Sequence, residues 1–116
     1  MLASAPSAEE KKRRIRKLND QLRTTFTDGR IVTSRAVADL PDEFKAQVLD
    51  AVRTFDAFNA DNDPHQEHDC FIFKVRGERY MAKIDYYDSD MEGGSEDPAD
   101  PMKTMRVMTI MFASDY

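Results

Sequence analysis

Both histidines of the chain fall in one stretch, Asp61-Asn62-Asp63-Pro64-His65-Gln66-Glu67-His68-Asp69, three residues apart among four carboxylates. Imidazole with carboxylate is a ligand set for zinc, iron or manganese, and equally a pair for general acid–base work. A His-x-x-His on a loop lacks the helical spacing and the downstream ligand of a metal motif. The stretch therefore reads first as a hydrogen-bonded polar turn entering a strand, with His68 pinning it to Lys83 or Asp85. A small metal-binding or hydrolytic site of His65, Glu67, His68 and Asp69, with Asp85 nearby, is the alternative. Cys70, the single thiol, could share a strand face with His68, but it opens a hydrophobic run, where a small buried cysteine is the ordinary outcome. No Gly-rich phosphate loop, nucleophile elbow or Cys-x-x-Cys pair is present, so no cofactor is expected.

The second candidate is acidic. Residues 87–101 hold six carboxylates and no base, and Asp85 just before them adds a seventh. Asp88-x-Asp90-x-Glu92-Gly93 copies the opening of a calcium-binding EF-hand loop, but position twelve, where a bidentate Glu completes such a site, is Ala99. The row Asp85, Asp88, Asp90, Glu92, Glu96, Asp97 and Asp100 is instead a candidate protein-binding surface whose carboxylates stand where a nucleic acid would carry phosphates. Opposite in sign is Lys11-Lys12-Arg13-Arg14-Ile15-Arg16-Lys17, a run with no aromatic side chain for base stacking. It reads as a solvated helix face, or as a partner for the acidic body of a second copy in a homodimer. The net charge of −5 hides this division: residues 1–35 carry +5 and residues 36–116 carry −10. Such a balance argues against direct nucleic-acid binding.

The elements that must position these groups follow from periodicity. A helix is expected from about Ser7 to Thr25, with Ser7 as cap, Glu9 and Glu10 in the first turn, and a narrow apolar stripe of Ile15, Leu18, Leu22 and Phe26. Asp28-Gly29 ends it, and Arg30–Thr33 reads as a short edge strand. A second helix opens at Leu40-Pro41-Asp42-Glu43, with Pro41 at the first helical position, and buries Phe44, Val48, Ala51, Val52 and Phe55 before ending near Phe58-Asn59. From Cys70 the period becomes two. Phe71, Phe73 and Val75 share one face, Gly77-Glu78 offers a turn, and Tyr80, Ala82, Ile84 and Tyr86 continue the buried face. Residues 104–112 are apolar on both faces, as in a central strand. Met102, Met105, Met108 and Met111 read as adaptable core filling. The expected fold is α+β: two helices on a small, mostly antiparallel sheet of three to four strands, in the order α-β-α-β-β-β.

The length suits one domain over residues 1–116, with residues 1–8 a flexible N-terminus. A lone cysteine rules out an intrachain disulfide. No apolar run suits a signal peptide or a membrane span, so a cytoplasmic protein is expected.

Ile15–Asp20, Asp61–Pro64 with Glu67-His68-Asp69, Lys83–Asp88, Asp97–Pro101 and Arg106–Met111, taken in order, resemble a family of short bacterial proteins of unknown function found on plasmids and other mobile elements. Cys70-Phe71 departs from the Phe-Gly expected after Glu-His-Asp in that family, which further weakens a cysteine nucleophile. The resemblance implies, by analogy of size, charge and setting, an inhibitor of the anti-CRISPR or anti-restriction type. Its partner would be a host defence protein such as a CRISPR effector complex or nuclease.

Overall fold

A computed structural model of the chain describes residues 5–116. Of the N-terminal segment expected to be flexible, residues 1–4 lie outside the described residues. Ser7 caps α1 (Ala8–Thr25), its Oγ accepting from the Glu10 N–H at 3.1 Å. Phe26 closes the helix in the left-handed conformation, donating its N–H to the Leu22 carbonyl at 2.8 Å. The remaining elements are β1 (Arg30–Thr33), α2 (Arg35–Ala38), α3 (Asp42–Thr54), β2 (Cys70–Val75), β3 (Glu78–Tyr87), β4 (Met105–Phe112) and a C-terminal 3₁₀ turn at Ala113–Asp115.

The sheet order is β1-β4-β3-β2, with β1 parallel to β4 and the other pairs antiparallel. The α+β class and the mostly antiparallel sheet are as expected, with β1 at an edge and β4 inside. The four-residue α2 is an addition, a single capped turn too short for periodicity to register; Ser34 caps it and Val37 is buried. Leu22, Val37, Val48 and Val52 from the helices meet Phe71, Phe73, Ala82, Ile84, Met108 and Ile110 from one sheet face.

Three local expectations are corrected. Pro41 is the N-cap of α3, one place before the first helical position. That helix ends at Thr54, short of Phe58, because Phe55 turns extended (ψ 127°). Phe55 then stacks on Phe71 at 4.5 Å between centroids, and Phe58 meets Phe55 edge-on at 4.9 Å. Ring packing on the sheet outweighs about one further helical turn. The β2–β3 turn is Arg76-Gly77, one residue earlier than expected, because Val75 pairs with Glu78. Both turn residues have positive φ (55° and 79°), the geometry that matches hairpin twist, and the Arg76 guanidinium lies 3.7 Å from the Phe44 ring centroid. Met108 fills the core, whereas Met102 is exposed.

The other sheet face presents Ile72 from β2, Met81, Lys83 and Asp85 from β3, and Val107, Thr109 and Met111 from β4. The C-terminal turn packs over one end of it, and Met81, Val107 and Met111 on it are buried.

Candidate functional site

The loop before β2, the loop after β3 and α1 meet at one end of the sheet, where they are tied by polar groups. The buried positions of α1 are Ile15, Asn19, Leu22 and Arg23, a helical face in which two of four residues are polar. Asn19, with no exposed surface, uses its whole amide. Its Nδ2 donates to the Tyr86 hydroxyl at 2.7 Å and to the Glu67 carbonyl at 3.0 Å, and its Oδ1 accepts from Arg106 Nε at 2.8 Å. The Tyr86 hydroxyl in turn donates a hydrogen bond to the Glu67 carboxylate at 2.8 Å. Arg106 reaches on to the Pro98 carbonyl, and its guanidinium lies 5.2 Å from the Tyr86 ring centroid. Burial pushes the Tyr86 phenol far above the ordinary tyrosine range, with Glu67 adding to the effect, and burial lowers Arg106.

Beside this network lies a second one built on His68. Its Nδ1 is 2.8 Å from Asp20 Oδ1, its Nε2 is 3.5 Å from Asp63 Oδ2, and its ring stacks on Phe58 at 3.8 Å. Asp20 also accepts from Arg23 Nε at 2.8 Å, while Arg23 Nη1 donates to the Phe55 carbonyl at 2.6 Å. His68 is thus held by α1 and by its own loop, not by Lys83 or Asp85 as expected; a partner 48 residues away is invisible to local pattern. Gln66 and His68 both adopt positive φ (58° and 56°), which turns the imidazole toward α1. A cleft of about 240 Å³ beside it is lined by Arg16, Phe58, Asn59, Ala60, Asp63, Gln66 and His68.

His65 is exposed, Glu67 is engaged by Tyr86, and burial raises the half-buried Asp69 above the usual carboxylate range. Among the described residues, no three His, Cys, Asp or Glu side chains converge as metal ligands do. Cys70 is not activated: burial, then Asp69, push its thiol up.

The seven acids of the second candidate have different fates. Asp85 pairs with Lys83 at 3.1 Å on the other sheet face, Glu96 with Lys103 at 3.4 Å, and Asp97 with Lys11 at 3.9 Å. Asp88 and Asp100 accept loop N–H groups from Glu92 and Met102 at 3.0 and 2.9 Å. Asp90 and Glu92 are exposed, with no ion-pair partner among the described residues. The loop is nonetheless shaped. Asp88 and Gly93 hydrogen-bond across its tip, the Ser95 N–H reaches the Tyr86 carbonyl at 3.0 Å, and Ser95 Oγ contacts Thr104 Oγ1 at 2.8 Å.

Residues 33–115 match the family described as "Protein of unknown function (DUF3768)". The chain belongs to this family. No curated protein and no solved structure matches it. The matched span of the DUF3768 protein includes β2, β3, β4 and both acidic loops, while α1, with Asn19, Asp20 and Arg23, and all of β1 but Thr33 precede it. These α1 residues, with Tyr86 and Arg106, are what a search for chemical motifs passes over. Their signal was the spacing of Asn19 and Arg23, which places both on the face of Ile15 and Leu22.

Proposed function

We propose that the chain is a non-enzymatic acidic interaction protein, an inhibitor that covers a basic nucleic-acid-binding surface of a host defence nuclease in the cytoplasm. The observation that carries this reading is that both acidic loops are fastened to one residue. Tyr86 donates its hydroxyl proton to Glu67 of the first loop and accepts the Ser95 N–H of the second through its carbonyl. Asp61, Asp88, Asp90 and Glu92 are thereby carried on neighbouring loops at one end of the sheet. A fixed array of carboxylates attracts a basic groove at long range and loses little conformational entropy on docking. The polar networks behind it suit support better than turnover: both His68 nitrogens face carboxylates, and Tyr86 keeps its proton.

The test reverses three charges at once, Asp88→Lys, Asp90→Lys and Glu92→Lys, in a tagged chain used to capture partners from cells carrying defence systems. The wild type should retain a nucleic-acid-binding protein that added duplex DNA competes away. The variant, melting like the wild type, should associate about tenfold or more slowly at low ionic strength. Equal binding by the reversed variant overturns the acidic-surface mechanism.

A further inference from the structure

β4 begins at Met105, but its pairing with β1 begins only where Val107 meets Arg30, so Met105 and Arg106 have no β1 residue beside them. The gap is a groove of about 650 Å³ between the entries to these two strands and the flank of α1. Leu18, Pro101 and Met105 line it with apolar groups, and Arg30 and Arg106 line it with cations. Its one acid, Asp28, is engaged by Gln21 Nε2 at 2.5 Å. Arg30 is exposed and, among the described residues, belongs to no ion pair. Arg106 is only 3% exposed, and its Nε and Nη2 serve Asn19 and the Pro98 carbonyl. Its Nη1 has no hydrogen-bond partner among the described residues, yet no side-chain nitrogen there is both unpaired and sealed from solvent. Nη1 therefore reaches the surface.

We propose that Arg106 Nη1 opens into this groove and that the groove binds a small organic carboxylate with an apolar body. A buried guanidinium nitrogen within the groove and an unpaired guanidinium at its rim suit the two oxygens of a planar carboxylate. The low-dielectric surroundings of Arg106 strengthen such a contact, whereas a neutral ligand would cover the cation without compensating it. Leu18, Pro101 and Met105 receive the apolar body, which an inorganic anion lacks. The volume falls in the roughly 300–1,000 Å³ range of small-molecule sites, which combine apolar walls with a few polar groups that fix orientation. The site is independent of the acidic docking surface, to which neither arginine belongs.

Titration of the isotope-labelled full chain with sodium benzoate at constant ionic strength, followed by amide NMR, tests this. Benzoate should shift the backbone amides of Gly29, Arg30 and Arg106 and the Arg106 Nε–H in one saturable process, with a dissociation constant of about 1 mM or below. Benzyl alcohol, the ring without the charge, and inorganic phosphate, a charge without the ring, should each bind at least about tenfold more weakly. Arg30→Gln, at an exposed position, should weaken benzoate about tenfold while leaving the rest of the spectrum unchanged. Leu18→Glu, which sets a carboxylate on the wall, should weaken it further. The absence of saturable shifts up to roughly 20 mM benzoate overturns the inference. So does binding of benzyl alcohol or phosphate as tight as that of benzoate, or benzoate binding that is indifferent to Arg30→Gln. An Arg106 Nε–H signal that stays in place while the backbone amides move also overturns it, since the guanidinium then faces elsewhere.

Discussion

Replacing Asn19 by Ala removes one side-chain amide and three hydrogen bonds at a position with no solvent access. The bonds to Tyr86 and to the Glu67 carbonyl join neutral groups and contribute about 1 kcal/mol each, whereas the bond from the Arg106 guanidinium contributes about 2 kcal/mol. Water cannot readily replace the lost carbonyl, because Arg106 is itself buried. The expected loss is therefore ~4 kcal/mol, a large part of the roughly 5–15 kcal/mol that holds a domain together. At about 4 °C per kcal/mol for a chain of this size, the midpoint of thermal unfolding should fall by ~15 °C. Circular dichroism melts and urea titrations read the effect independently. Arg106→Met alone should cost a similar amount. The double variant should cost well under the sum of the two, because the second substitution removes a group the first has already left unpaired. A midpoint within about 3 °C of wild type for Asn19→Ala, or strict additivity in the double variant, would refute the view that this network fastens α1 to the sheet.

Two further outcomes are expected. A Cβ at Gly29 would sit 2.8 Å from Leu22 Cδ1 and 2.9 Å from the Arg106 carbonyl oxygen, so Gly29→Ala should destabilise by about 1–3 kcal/mol in urea unfolding. Because Tyr86 holds its proton more tightly folded than unfolded, its contribution is complete below the unfolded tyrosine value of ~10 and is lost as pH rises toward the folded value. Stability above pH ~10 should accordingly fall less steeply in Tyr86→Phe than in the wild type, as read from melts in alkaline buffers.

The sheet was legible because β2 and β3 alternate cleanly and β4 is apolar on both faces, patterns that burial itself imposes. The C-terminal end of α3 was not, since Phe55 and Phe58 continue a plausible helical stripe and only Phe71 across the fold draws them off it. The basic helix misled in a related way. Arg23 reads as one more solvated cation, yet it is buried under Phe58 and bonded to the Phe55 carbonyl. The acidic loop was visible as composition, but its attachment through Ser95, Thr104 and the Pro98 carbonyl depends on groups distant in sequence or on backbone, which carry no pattern. His68 was recognised as a turn residue, and its true anchor, Asp20, belongs to an element already read as solvent-facing.

The pairing of β1 with β4 sets an order of events during synthesis. Among the described residues β1 has β4 as its one strand neighbour, and the amide of Asn19 meets the guanidinium of a residue 87 positions later. β1 leaves the ribosome with no strand to pair with until β4 has emerged, whereas α1 can already meet α3 and the loop before β2. The β2–β3 hairpin can form early from local contacts, but β1 must wait for β4 to slot between it and β3. Completion of this sheet thus depends on the insertion of one strand, β4, between two that precede it in the chain.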